Sequence, residues 1–114
     1  MKGGFRMSST KEFVEYVCEQ ISEAGTISYR MMMGEYCIYC NAKVIGLVCN
    51  NQFFLKITKA TEELLINCDK ASAYNGAKVS YLITDLDNRS FVSEVVLLTY
   101  NELPEPKPKK KKLK

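Results

Sequence analysis

The stretch that decides the fold is Ile27–Ile57, ISYRMMMGEYCIYCNAKVIGLVCNNQFFLKI. It is dense in Ile, Val, Tyr and Phe, and it is broken at Asn41-Ala42 and Asn50-Asn51, two pairs suited to tight turns because Asn tolerates positive φ. The spacing predicts a meander of four strands, over 27–33, 35–40, 43–49 and 52–57. If the two turns set the register, Ile38 pairs with Ile45, Tyr36 with Leu47, Val48 with Phe53 and Gly46 with Leu55. Alternation then puts Cys37, Tyr39, Val44, Val48, Phe53, Leu55 and Ile57 on one face. Tyr36, Ile38, Cys40, Lys43, Ile45, Leu47, Cys49, Gln52, Phe54 and Lys56 fall on the other. Both faces are largely apolar, so each needs a cover, either helices split across the two faces or helices on one and a second copy of the chain on the other. The reading favours a homodimer whose interface is formed by Tyr36, Ile38, Ile45, Leu47 and Phe54.

The same geometry bears on Cys37-Ile38-Tyr39-Cys40. A C-x-x-C spacing suggests a metal or redox pair, but residues an odd number apart in a strand leave the sheet on opposite faces. With no His in the chain and no second C-x-x-C, we expect no metal site and no cofactor. Met31–Met33 reads as adaptable packing material. The missing His also removes the commonest general base, and no Ser or Cys has an activating neighbour in sequence, so the reading is non-enzymatic with no catalytic residues.

Outward from the meander, SSTKEFVEYVCEQISEAG places Ser9 as N-cap with Glu12 three residues later, and Phe13, Val14, Val17, Cys18 and Ile21 at helical spacing. TKATEELLINC (58–68) offers a short helix, YNGAK (74–78) a turn, and KVSYLIT (78–84) a fifth strand. Asp87 or Asn88 caps a last helix carrying Phe91, Val92, Val95 and Leu98, which ends before Pro104. Asp85 and Asp87 could hold a cation, but capping explains their position.

At 114 residues one domain is expected, over 9–104, with 1–8 as a leader outside the fold and 105–114 as an extended Pro/Lys tail. The five cysteines are odd in number and lie in apolar runs, and no segment reads as a secretory signal or membrane span. That favours a reduced, cytoplasmic protein. The formal charge of +3 is a property of the tail: without residues 107–114, ten basic residues face thirteen acidic ones, a net of −3. Lys107, Lys109, Lys110, Lys111, Lys112 and Lys114 could grip phosphate backbones without sequence preference, alone or beside Arg30, Lys43 and Lys56. A solvated tail is the alternative.

With these elements placed, the chain resembles the N-terminal domain of the TfoX/Sxy family, in a stand-alone form, over about residues 7–112. Arg30, Met32, Gly34, Tyr36, Tyr39, Lys43, Leu55 and Lys56 stand where the family's R-x-M-F-G-G-Y-G-x-Y, G-K and L-Y-L-K features fall. Departures are Met33 for Phe, Glu35 and Cys37 for two glycines, Ala42 for the turn glycine, and Phe53 and Phe54 for Leu and Tyr. The resemblance implies an α+β fold, a curved antiparallel sheet of about five strands with helices similar to secretion chaperones. It also implies a non-catalytic regulatory role, of the kind associated with competence or transcription. From the two apolar sheet faces and the lack of a catalytic set, we expect that role to be exercised on an unidentified protein partner, with DNA at the tail as the alternative.

Overall fold

The computed structural model describes residues 9–32 and 35–104; the leader 1–8, Met33, Gly34 and the tail 105–114, with its six lysines, lie outside them. Among the described residues, two α-helices and six strands form an α+β fold: α1 (Lys11–Gln20), β1 (Ile27–Met32), β2 (Glu35–Cys40), β3 (Lys43–Cys49), β4 (Gln52–Leu55), β5 (Lys70–Ser72), β6 (Val79–Ile83) and α2 (Arg89–Glu102). One sheet runs in the order β1-β2-β3-β4-β6-β5, and every neighbouring pair is antiparallel.

The meander forms where the Asn pairs allow it. Asn41, Ala42, Asn50 and Asn51 all take positive φ, at 48°, 74°, 54° and 55°, which is the geometry that a two-residue hairpin of matching twist requires. A sixth strand, β5, was not expected. Its three residues, Lys-Ala-Ser, are too short and too polar to signal a strand, and pairing with β6 is what extends them. The 58–68 stretch is not a helix but a 3-10 turn at Lys59–Thr61 followed by further turns. The Glu102 carboxylate accepts from the Lys59 and Ala60 amides at 3.1 and 2.8 Å, and so ties this turn to the end of α2.

The cap of α1 is Thr10, one residue later than expected; its hydroxyl accepts from the Phe13 amide at 3.1 Å. Ser9 instead accepts from the Asn51 amide at 2.9 Å, which fastens the helix start to the β3–β4 turn. At α2 the cap is Asn88, accepting from Phe91 at 3.3 Å. The helices meet through Ser93 Oγ, which donates to the Gln20 carbonyl at 3.0 Å, and Gln20 Nε2, which donates to that of Leu86 at 2.8 Å. Tyr16 adds a hydroxyl that donates to Asp87 Oδ1.

The register differs from expectation at one point, with consequences for half the sheet. Cys40 pairs with Lys43 and Tyr39 with Val44, but the next partner of Ile38 is Gly46, leaving Ile45 as an extra residue in a β-bulge. Tyr36 therefore faces Val48 and not Leu47, while the β3–β4 pairs Val48–Phe53 and Gly46–Leu55 stand as expected. Beyond the bulge β3 has changed phase. Tyr36, Ile38, Cys40 and Ile45 share a face with Val48, Phe53, Leu55, Tyr81 and Ile83, and this face is buried against Val14, Val17 and Ile21 of the α1 side and Val92, Val95 and Val96 of α2. Burying an aliphatic or aromatic side chain contributes about 1.5–3 kcal/mol, so this layer is the fold's main source of stability. Both helices thus lie on one side of the sheet.

Candidate interaction surface

The other face carries Ser28, Arg30 and Met32 of β1, Glu35, Cys37 and Tyr39 of β2, Val44, Leu47 and Cys49 of β3, Gln52 and Phe54 of β4, and Leu82 of β6. Among the described residues no helix packs across it. The five expected interface residues are divided by the bulge: Leu47 and Phe54 lie on this outer face, whereas Tyr36, Ile38 and Ile45 are in the core beneath the helices. Cys40 and Cys49, expected on one face, are likewise separated. Cys37 and Cys40 leave the sheet on opposite sides. Cys37 Sγ lies 3.6 Å from Met32 Sδ on the outer face, and Cys40 Sγ donates to the Ala24 carbonyl at 3.7 Å inside the core.

A groove of about 590 Å³ opens on the outer face and runs over the end of the sheet where β4 leaves and β6 enters. On one side it is lined by Val44, Leu47 and Phe54, and on the other by Tyr74 and Ala77 of the connection after β5 and Val79 at the start of β6. Ile57, Tyr74 and Val79, at 37%, 48% and 53% exposure, gather large apolar surface at this one place, where solvation is unfavourable. Lys56 and Lys78 are exposed and line the same groove. A second hollow of about 360 Å³ continues from it past Tyr39, Ala42 and Lys43 to Leu103 and Pro104, sharing Val44 and Lys56. Of the 73–80 wall, the turn at YNGAK and the strand over 78–84, observed as β6, were legible in the sequence; β5, which pairs with β6, was not.

The charges separate in the same sense. Neither hollow has an Asp or Glu in its lining. Residues 9–104 hold twelve acidic residues against eight basic ones, and in the six strands the acidic ones are represented by Glu35 alone, at the far end of β2. The others lie on α1, α2 and the connections between elements.

Of the basic residues expected to meet nucleic acid, Arg30 and Lys56 are exposed on the outer side. Lys43 is turned away: it is 7% exposed, its amine donates to the carbonyls of Tyr100 and Leu103 at 3.1 and 2.8 Å, and it lies 4.2 Å from the centre of the Tyr100 ring. A cation at the C-terminal end of a helix satisfies carbonyls that have no partner inside the helix and opposes the negative end of its dipole. The position of Lys43 is accounted for by that structural work.

Burial pushes the Cys18 thiol up to about 11, helped by Glu15 nearby, and burial also raises Cys40 and Cys68. Those three sulfurs are held in the protonated form, the opposite of what nucleophilic or metal-binding work requires. Among the described residues no group of three or more His, Cys, Asp and Glu is placed to hold a metal ion, and no helix is long and apolar enough to cross a membrane.

The chain is 30% identical over 109 residues, 95% of each chain, to an uncharacterized 12.7 kDa protein encoded in the trpE 5' region of Spirochaeta aurantia. Residues 19–94, from the end of α1 through the whole sheet into α2, match the TfoX N-terminal domain. The match contains the bulged meander, the 73–80 wall and both exposed groove lysines, so the surface described above is built on the shared framework: the chain belongs to the TfoX N-terminal domain family.

Proposed function

We propose that the chain is a cytoplasmic, non-catalytic regulatory or adaptor module that works by holding another protein against its outer sheet face. One observation carries this reading. Both helices cover the same side of a sheet with two apolar sides, and on the uncovered side Val44, Leu47 and Phe54 line a groove to which Ile57, Tyr74 and Val79 add exposed apolar surface. A non-catalytic role agrees with the absence of His and with thiols held protonated. Family membership suggests transcriptional or competence regulation as the setting.

The test places a photo-crosslinking amino acid at Leu47 or Tyr74 of the groove, and at Glu94 on the opposite side, in the full chain expressed in its own cells. Adducts of protein mass from the two groove positions, surviving nuclease, are expected. Adducts only from position 94, or adducts abolished by nuclease, count against the reading.

A second reading, weak binding of nucleic acid, is favoured by the lysine run after Pro104 and by exposed Arg30 and Lys56. Counterion release makes such binding fall steeply with salt. A salt titration of DNA binding, repeated on a chain ending at Pro104, decides whether the tail is responsible.

A further inference from the structure

We infer that the occupant of the groove is an acidic, apolar protein segment, whose carboxylates reach Lys56 and Lys78 while its apolar side chains cover Val44, Leu47, Ile57 and Tyr74. The inference rests on the protein-contact reading above and adds the chemistry of the partner. A volume of about 590 Å³ lies within the usual range of binding clefts and has room for a few side chains of a segment laid along it. Its charge is of one sign. In a domain where acidic residues outnumber basic ones twelve to eight, both charged residues in the lining are lysines, and the adjoining hollow adds no carboxylate.

The alternatives fit less well. A nucleic acid presents a dense row of phosphates and sugars, which calls for many closely set cations, whereas here two lysines are set among aliphatic and aromatic walls. A second copy related by a two-fold axis would set the same lining against itself, and that lining holds no carboxylate to meet Lys56 and Lys78. The chain's own continuation past Pro104 has six lysines in its last ten residues and is of the wrong sign for this groove. A carboxylate-bearing apolar segment satisfies both features, since apolar burial supplies affinity and the lysines supply orientation and discrimination.

The experiment is fluorescence anisotropy with the full chain and four labelled probes. The probes are a peptide alternating Glu or Asp with Leu or Phe, the same peptide with Lys for each acidic residue, a poly-glutamate peptide, and a mixed-sequence single-stranded oligonucleotide. The acidic amphipathic peptide is expected to bind about tenfold or more tighter than any of the others. In the Lys56→Glu/Lys78→Glu double variant, shown to be folded by an unchanged urea midpoint, the preference should reverse toward the lysine peptide. The inference is overturned if poly-glutamate or the oligonucleotide binds as well, if the variant keeps the wild-type preference, if no probe binds, or if the groove is instead closed by self-association in sedimentation. Groove crosslinks to protein without peptide preference would sink the acidic chemistry and leave protein contact standing. Loss of the crosslinks would sink both.

Discussion

The Lys43 amine donates to the Leu103 carbonyl at 2.8 Å across 60 positions of sequence, joining the first residue of β3 to the end of α2. The sheet thereby fixes where the last helix stops, and with it Leu103 and Pro104, which line one end of the interaction surface.

Replacing Lys43 with Met keeps much of the aliphatic stem and removes the charge and its donors. Hydrogen bonds involving a charged group contribute about 1.5–3 kcal/mol, so Lys43→Met should lower stability by about 2 kcal/mol in urea denaturation. Exchange of the Leu103 amide, which donates to the Thr99 carbonyl at 3.1 Å, should quicken as the helix end frays.

Gly46 sits where the bulge presses β3 on β4. A Cβ there would meet the Phe54 carbonyl oxygen at 2.2 Å, a backbone atom with no room to move. Gly46→Ala should cost at least about 3 kcal/mol or abolish folding, measured by circular dichroism and urea midpoint. Gly76→Ala is the control. It meets nothing within 4 Å, and its φ of +93° alone should cost about 1 kcal/mol.

Ala42 holds φ 74° in the β2–β3 turn, a conformation disfavoured for a residue with a Cβ. Ala42→Gly relieves that strain and adds freedom to the unfolded chain. The balance should raise stability by about 0.5–1 kcal/mol, seen as a higher urea midpoint with an unchanged slope.

The Cys18 thiol has its folded pKa raised from 9.0 to about 11, chiefly by burial. Its neutral form contributes stability that is fully present below pH 9 and is lost as pH rises toward 11, because the unfolded chain gives up the proton first. Urea midpoints should therefore fall between pH 9 and 11. Cys18→Ala should flatten that fall only in part, since Cys40 and Cys68 are shifted in the same direction.

These cases also show where the sequence is legible. Asn41-Ala42 and Asn50-Asn51 announce their turns because few residues accept positive φ, and the register of β3 on β4 follows from the second of them. The bulge leaves no such trace. Val44, Ile45, Leu47 and Val48 are apolar on both sides of the strand, so alternation cannot reveal the residue at which the phase slips, and only the demand for a residue without Cβ at Gly46 hints at it. That single slip separated Leu47 and Phe54 from Tyr36, Ile38 and Ile45. Lys43 misled for a related reason: a lysine next to a turn reads as exposed until a helix distant in sequence arrives over it. The groove wall depends on β5, whose strand character exists only through its pairing with β6.

The groove's two lysines, in a domain whose carboxylates lie mostly on the helices and connections, leave a local positive spot on a surface of opposite overall sign. If an acidic segment is the occupant, that field would favour encounters in which the groove faces it, and added salt would slow its capture more than it shortens the life of the complex.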